Sequence, residues 1–411
     1  MRPDINSARP LVMHIDLNSC FATVEQQARP RLRGRPVAIV NRRTDATMIV
    51  TASYEAKAVG VKLGMRLRDA KKLCPELIGL ESDPPKYRYV YHKLMAIMND
   101  YSAHVRMKSI DEGVIDFSET SEATQARDLV DIGWEIKRRL WEEVGRAMNC
   151  NVGIATNRFL AKTAAGLNKP NGLDVITHDN LRDVFGRLEL TDLTGIAERM
   201  EKRLNGVGIF TPLQFLDADP VTLEKMVYKS INGRQWHQRL RGWEVDKRDF
   251  AMKSAGRQFV LDDFDLNHEQ VLKRLHHLCE SVGYKLRSQG VQARGVYVYA
   301  KSREKGYWHA RTTASLPFSS DLAIYAQARR LFANSPSDPK EIGISCFELS
   351  PIGNDPQLTF FGNELARETH VTQAVDDINR RFGDRTIHSA DTLGTGRFLK
   401  QKIPFGSTRY M

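Results

Sequence analysis

The 411-residue sequence has no run that approaches the ~20 consecutive apolar residues of a membrane span, and Met1 to Pro10 carries no apolar stretch of signal-peptide length. A cytoplasmic protein without a membrane partner is expected. Cysteine is scarce: Cys20, Cys74, Cys150, Cys279 and Cys346 are scattered without a C-x-x-C pair, which supports neither a disulfide framework nor a zinc module and predicts reduced, buried thiols. Internal repeats and low-complexity segments are missing too. Acidic residues are outnumbered, 50 Asp and Glu against 61 Lys and Arg, for a formal net charge of +11. Such a surplus attracts polyanions at long range, so nucleic acid is the leading partner class. A hydrophobic content of 41% supplies real cores, and the length exceeds one ordinary core, suggesting roughly two to four domains.

What the sequence does hold is a pair of adjacent carboxylates among apolar residues, in Lys108-Ser109-Ile110-Asp111-Glu112-Gly113-Val114-Ile115-Asp116. Neighbouring acids repel, and keeping both ionised beside Val and Ile requires a cation or a cluster of donors. Taken alone, a solvated hairpin turn is the plainer reading, because Asp and Glu are common in turns. The flanking patterns change that. Leu11 to Asp16 reads as a strand ending in an acid, with Asn18 as N-cap of a helix to about Gln27. Tyr87, Val90, Tyr91, Leu94, Ile97, Met98 and Tyr101 share one helical face. Strands at Val105 to Ser109 and Val114 to Phe117 follow, then a helix with Leu129, Ile132, Ile136, Leu140 and Val144 aligned, then a strand at Cys150 to Ala155. With a basic insertion at about 29 to 83 set aside, the order is β-α-β-β-α-β, the ferredoxin-like pattern. A right-handed crossover makes the first strand parallel to 105–109 and allows 114–117 to lie between them, antiparallel to both. The hairpin turn then sits beside Asp16, and Asp16, Asp111 and Glu112 converge on one sheet edge. Three converging acids suit a hard divalent cation such as Mg²⁺, held by a few carboxylates plus substrate phosphates.

Asn168-Lys169-Pro170-Asn171-Gly172 is a turn carrying one cation beside this sheet. Residues 178 to 242 are mostly helical. Within them Leu193-Thr194-Gly195-Ile196-Ala197, a helix to Leu204 and Gly206-Val207-Gly208-Ile209 resemble a helix-hairpin-helix element, whose backbone around Gly195 and Ala197 would offer N–H groups to a nucleic-acid phosphate. An ordinary helical turn accounts for the motif equally. Between Lys229 and Arg257 eight basic residues stand against three acids, a basic linker. From Phe259 a second α+β domain begins: a strand, a helix, strands at 294–301 and 307–314, a helix at 321–333 and a strand at 341–348. Arg294, Lys301, Arg303, Lys305 and Arg311 charge its strands and turn, with Tyr297, Tyr299, Tyr307 and Trp308 interleaved, which fits phosphate tracking and core aromatics alike. A helix from Ala366 to about Phe382 precedes a basic end.

Several stretches resemble Y-family translesion DNA polymerases: His14-Ile15-Asp16-Leu17-Asn18-Ser19-Cys20-Phe21-Ala22-Thr23-Val24-Glu25 with Ser109-Ile110-Asp111-Glu112, then Thr51-Ala52-Ser53-Tyr54-Glu55-Ala56-Lys57, and Val152-Gly153-Ile154-Ala155-Thr156-Asn157-Arg158-Phe159-Leu160-Ala161-Lys162 closing in the Lys169 turn. The resemblance covers residues 11 to about 260 by motif, and beyond that by general pattern and basic strands. It implies an α+β, multidomain right-hand polymerase with a ferredoxin-like palm at 11–22 and 84–175 and small fingers at 23–83. A helical thumb with the helix-hairpin-helix would span 176–242 and a basic linker 243–253. An α+β little finger at 254–363 and a C-terminal helix with basic tail at 364–411 complete the chain. The implied activity is template-directed addition of dNMPs from dNTPs to a primer 3′-OH on primer-template DNA, at low fidelity and without proofreading. By motif position Asp16, Asp111 and Glu112, with the Leu17 carbonyl, would ligate two Mg²⁺ ions ~3.5–4 Å apart, Mn²⁺ being a substitute. Phe21 takes the steric-gate position, where a ring under the sugar excludes a 2′-hydroxyl; a core aromatic is the other reading. Thr51, Tyr54, Lys57 and Lys169 match nucleotide-binding positions. Lys57, where many relatives carry Arg, resembles the polymerase V (UmuC-like) branch, while Tyr54 and the Lys-Pro-Asn-Gly turn resemble the polymerase IV (DinB-like) branch. Asn18 replaces an acid found in several relatives. Gln357-Leu358-Thr359-Phe360-Phe361 resembles the bacterial sliding-clamp-binding pentapeptide, with Gln357, Leu358, Phe360 and Phe361 as anchors; a last edge strand is the alternative.

Two other function classes use the same residues. A nucleotidyl cyclase also places carboxylates on a palm-like hairpin, but the thumb and the basic second lobe argue against it. A non-catalytic DNA-binding relative would be expected to lack a carboxylate, and all three are present. The protein is expected to be monomeric.

Overall fold

Val12–Leu17 (β1) is buried almost throughout, with Met13, Ile15 and Leu17 on one face and Val12, His14 and Asp16 on the other, and it takes the middle of its sheet. The computed structural model describes residues 5–42, 44–246, 252–261, 266–302, 306–353 and 362–397, which fall into two compact units, one up to 246 and one from 252. Arg303 and the pentapeptide residues Gln357, Leu358, Phe360 and Phe361 lie outside the described residues.

In the first unit β1 leads into Cys20–Ala28 (α1). Val37–Val40 (β2), Ile49–Ala52 (β3), the helices Tyr54–Ala58 (α2) and Leu67–Leu73 (α3), and Ile78–Glu81 (β4) form an inserted layer whose sheet runs β3-β2-β4. Pro84–Asn99 (α4) leads to Val105–Met107 (β5) and Glu112–Asp116 (β6). Glu122–Ala126 (α5), Leu129–Arg139 (α6), Cys150–Ala155 (β7), Arg158–Leu167 (α7) and Leu173–Val175 (β8) complete the main sheet, ordered β5-β6-β1-β7-β8. Strand β6 lies between β5 and β1, antiparallel to both, and β7 flanks β1 on the other side. This is the expected β-α-β-β-α-β arrangement, extended by β8.

Side chains alternate across β1, so Met13, Ile15 and Leu17 pack with Tyr87, Leu94, Ile97, Ile132 and Ile136 of α4 and α6. The opposite face takes α7, in a core with Val12, Val114, Phe159, Leu160 and Ala164. Gly153 permits that approach: a Cβ there would stand 2.0 Å from the Ala161 carbonyl oxygen. The same core continues through Leu181–Phe185 (α8), Glu198–Asn205 (α9), Pro212–Asp217 (α10), Pro220–Thr222 (α11) and Asn232–Leu240 (α12). Trp236 of α12 meets Phe159, Phe215 and Tyr228 with ring centroids 5.3, 5.6 and 5.9 Å away.

Two boundaries differ from expectation. Asn18 does not cap α1: Ser19 precedes the helix at φ +47° without a side-chain cap, and Asn18 is buried in other bonds. Glu112 is not in the hairpin turn but is the first residue of β6, so the turn holds only Asp111 of the acidic pair.

The second unit comprises Ser254–Val260 (β9), His268–Ser288 (α13), Val291–Ser302 (β10), Tyr307–Phe318 (β11), Asp321–Phe332 (α14) and Pro339–Pro351 (β12), then Gly362–Phe382 (α15). Its antiparallel sheet runs β11-β10-β12-β9. Val296, Val298 and Ala300 face the core under α13 and α14. Tyr297 and Tyr299 alternate onto the opposite face, where the Tyr297 and Tyr307 hydroxyls lie 2.6 Å apart. Trp308 instead packs edge-on to Phe332 with centroids 5.8 Å apart, so one of the four interleaved aromatics serves the core. All five cysteines are buried and unpaired. Among the described residues no helix is long and apolar enough to cross a membrane.

Candidate active site

The alternation that buries Ile15 sends His14 and Asp16 to the α7 face, and the β1–β6 register sets Asp16 directly opposite Glu112. One ligand-capable atom from each of His14, Asp16 and Glu112 lies within 4.8 Å of the others. Asp111 joins from the turn: its carbonyl accepts the Leu17 N–H at 2.8 Å, and its carboxylate accepts the Ser109 hydroxyl. Burial raises the Asp111 pKa, the Ser109 hydroxyl opposes this, and the charges of Asp16 and Glu112 add to the rise. Glu112 is shifted the other way. Burial would raise its pKa as well, but His14 and Lys162 outweigh burial and hold the carboxyl at about 2. Lys162 Nζ stands 2.8 and 2.6 Å from the two carboxylate oxygens, and His14 Nε2 is 3.2 Å from Oε2.

These residues fit a hard divalent cation. Asp16 and Glu112 bring ligand oxygens together, while the Asp111 carboxylate lies outside that group of atoms and feels both charges as a rise in its pKa; a cation relieves such repulsion, and oxygen ligands suit Mg²⁺. His14 belongs to the same group of ligand-capable atoms, with its Nε2 on Glu112 Oε2.

The cations of the candidate nucleotide side gather around Asp16. Lys169 Nζ is 2.9 Å from Asp16 Oδ2. Lys57 Nζ donates to Ser19 Oγ at 2.7 Å and lies 4.6 Å from the centre of the Tyr54 ring. Burial lowers the Lys57 pKa and the Lys169 charge lowers it further, against Asp16. Burial and the Asp16 charge raise that of Tyr54, against a bond to Ser19. The fold thus unites Tyr54, Lys57, Lys169 and Asp16 from three separate stretches. Thr51 sits half-buried on β3 opposite Ile39, and among the described residues no hydrogen bond from its side chain joins it to them. Phe21 is 5% exposed and stacks on Tyr87 with centroids 4.3 Å apart and planes 8° from parallel.

Sequence reasoning gave no role to His14, Lys162, Lys137 or Asn151. For the two lysines a signal existed, a charge inside the apolar runs Phe159-Leu160-Ala161-Lys162-Thr163-Ala164 and Ile136-Lys137. For His14 and Asn151 the strand pattern carried none.

Residues 15–166 match the impB/mucB/samB family, and residues 252–360 match the C-terminal domain of that family. DNA polymerase IV of Moorella thermoacetica is 33% identical over 398 residues, spanning 93% of this chain and 96% of that protein. DNA polymerase IV 1 of Bacillus subtilis is 30% identical over 392 residues, 93% of each. The chain belongs to the impB/mucB/samB family, as a Y-family, DinB-like DNA polymerase. Among solved structures, a chimera of the Y-family DNA polymerases Dbh and Dpo4 has a TM-score of 0.68 at 23% identity, covering 84% of this chain and 99% of that one. An insertion ternary complex of Dbh DNA polymerase has 0.58 at 23%, covering 82% and 98%. The fold is the α+β, multidomain Y-family polymerase fold.

In this DinB-like polymerase the expected DNA contacts are unevenly placed. Gly195 adopts φ +93° and Ala197 precedes α9 without a capping side chain, but Glu198 and Glu201 fill the first turn, and a carboxylate there competes with phosphate for the helix N-terminus. On the second unit Lys301 is paired with Glu341 at 2.8 and 3.0 Å. Arg294 Nε donates to the Ala314 carbonyl at 3.2 Å, and Arg311 is exposed beside Tyr297.

Proposed function

We propose that Asp16, Asp111 and Glu112, with the Leu17 carbonyl, hold the Mg²⁺ ions, or Mn²⁺ in their place, with which this translesion polymerase joins a dNTP to a primer 3′-OH. The observation that carries the reading is Asp16 opposite Glu112 in the β1–β6 register, with Asp111 tied to β1 through the Leu17 N–H. Bound there, divalent ions would lower the pKa of the primer hydroxyl and neutralise charge growing on the phosphate and pyrophosphate.

The chain's own residues do the positioning. Lys162 and His14 fix both oxygens of Glu112 and keep it ionised. Lys57 and Lys169 receive the triphosphate as point charges, flanked by Tyr54, with Thr51 on the same nucleotide side. Phe21, backed by Tyr87, closes the space a 2′-hydroxyl would need. Gly195, Ala197, Arg294, Lys301, Arg303 and Arg311 meet the primer-template backbone. Gln357, Leu358, Phe360 and Phe361 dock on a bacterial sliding clamp. Palm, fingers, thumb and little finger take the bounds 11–22 with 84–175, 23–83, 176–242 and 254–363, and the enzyme works as a cytoplasmic monomer without proofreading.

Primer extension with Asp16→Ala, Asp111→Ala and Glu112→Ala tests the metal ligands. Each variant is expected to lose about a thousandfold or more in kcat while DNA affinity stays near wild type. Extension by Asp111→Ala equal to wild type overturns the assignment.

A further inference from the structure

The turn that brings Lys169 to Asp16 is held from below by buried polar groups. Asn18 and Asn151 are 3% and 0% exposed, and Asn18 Nδ2 donates to Asn151 Oδ1 at 2.8 Å. Asn18 Oδ1 accepts the Asn171 N–H at 2.8 Å, and Asn151 Nδ2 donates to the Asn168 carbonyl at 3.1 Å. From α6 the Lys137 ammonium reaches the same turn, donating to the carbonyls of Asn171 and Gly172 at 2.8 and 3.2 Å and to that of Cys150 on β7 at 2.8 Å. An ammonium has three donors, and these three carbonyls use them all. Burial lowers the Lys137 pKa, with Cys150 and Asp174 opposing. Gly172 is needed for the closure, since a Cβ would stand 2.3 Å from the Asn168 carbonyl oxygen and 3.1 Å from Asn151 Nδ2.

A buried amide pair and a buried ammonium are costly ways to fill a core, because each must be fully satisfied. Apolar residues of similar size would pack β7 against α6 without that requirement. What the polar groups add is position: between them they hold the backbone of Asn168, Asn171 and Gly172, the residues on either side of Lys169 and Pro170. Asn18 and Pro170 also line, with Tyr54, a cavity of about 360 Å³, so the held turn borders open space beside α1.

We propose that Lys137, Asn18 and Asn151 are positioning residues for the incoming nucleotide, a buried bracket that fixes the 168–172 turn so that Lys169 stands where a triphosphate can take it from Asp16. This rests on the reading of Lys169 as a triphosphate contact. It also gives the amide at position 18 a reason: an aspartate there could still accept from Asn171, but nothing would donate to Asn151 Oδ1.

The test is a double-mutant cycle in single-nucleotide insertion, with dNTP KM and kcat measured for Lys137→Gln alone and combined with Lys169→Ala. In the wild-type background Lys137→Gln is expected to raise KM about tenfold with little change in kcat. In the Lys169→Ala background the further rise is expected to fall below about twofold, because the two changes act through one contact. An equal rise in both backgrounds, or none in either, overturns the bracket while leaving Lys169 in place. An unchanged KM for Lys169→Ala alone overturns the triphosphate reading itself. Should Lys137→Gln fail to fold, Asn151→Ala enters the same cycle with the same expectation. DNA affinity and Tm are measured beside each variant, and a KM effect that only tracks a fall in both marks a merely structural role and rejects the proposal.

Discussion

Asp111 and Glu112 are neighbours in sequence yet sit in opposite electrostatic settings: burial pushes one carboxyl up, while Lys162 and His14 hold the other at about 2. Adjacency in the sequence pointed to the pair, and the strand order pointed to Asp16. The split between them depended on a helix lysine and a strand histidine whose partners no local pattern names. Phe21 shows the same limit. Its two readings, gate and core aromatic, are not exclusive, because the ring is buried against Tyr87 with planes 8° apart, and a gate needs a backing that does not yield. Phe21→Ala is expected to raise CTP incorporation relative to dCTP by about 10²-fold, the scale on which a packed pocket rejects one added hydroxyl. Tyr87→Leu, which removes the backing ring together with its hydroxyl bond to the buried Glu25 at 3.3 Å, is expected to relax the same ratio by a smaller factor. The ratio of kcat/KM for the two nucleotides reads both, and an unchanged ratio in Phe21→Ala removes it from the gate role.

Long periodic elements were legible: α4, α6 and β1 stand within a few residues of where their apolar spacing puts them, because each buries one regular face. The short strands β4 and β8 were not, since Ile78-Gly79-Leu80-Glu81 and Leu173-Asp174-Val175 hold too few residues for a period to register. Gly153 and Gly166 make the packing argument testable. A methyl at 153 meets α7 backbone at 2.0 Å, whereas one at 166 meets nothing within 4 Å. Gly153→Ala on β7 is expected to destabilise the first unit by about 3 kcal/mol, and Gly166→Ala on α7 to stabilise it by about 0.5–1 kcal/mol, as read by urea denaturation. Equal effects would reject the close approach of α7. At α9 the acids of the first turn weaken any phosphate contact at Gly195 and Ala197. Glu198→Gln is accordingly expected to tighten primer-template binding about two- to fivefold, the scale of a charge at a helix terminus, in a low-salt titration. No change in affinity would take that turn out of the DNA interface.

At the scale of the molecule, the described residues fall into two units, one up to 246 and one from 252, because one set of apolar faces ends with the first and another begins with the second. The segment that closes the second unit was less legible, being held by polar groups rather than by a period. Glu280 of α13 accepts the Ser389 N–H and the Thr392 hydroxyl, each at 3.0 Å, and pairs with Arg385. His277 Nδ1 lies 2.7 Å from Thr395 Oγ1. Burial, then the positive charge of Arg385 and the neighbouring cations, lowers the His277 pKa to about 3, and burial lowers that of His276. The His277 ring therefore stays neutral in the folded protein while the histidines of an unfolded chain take up protons near pH 6.5. The contribution of His277 to stability is complete above about pH 6.5 and drains away as the pH falls toward 3, because protons bind the unfolded chain in preference. Between about pH 7.5 and pH 5 the free energy of opening α13 is expected to fall by ~2 kcal/mol for His277 alone, read as faster hydrogen exchange of the α13 amides after correction for intrinsic rates. His277→Gln keeps a polar group that does not titrate, so its fall should be smaller by that amount. An equal fall in both proteins would show that His277 is not held neutral by its burial against the closing segment.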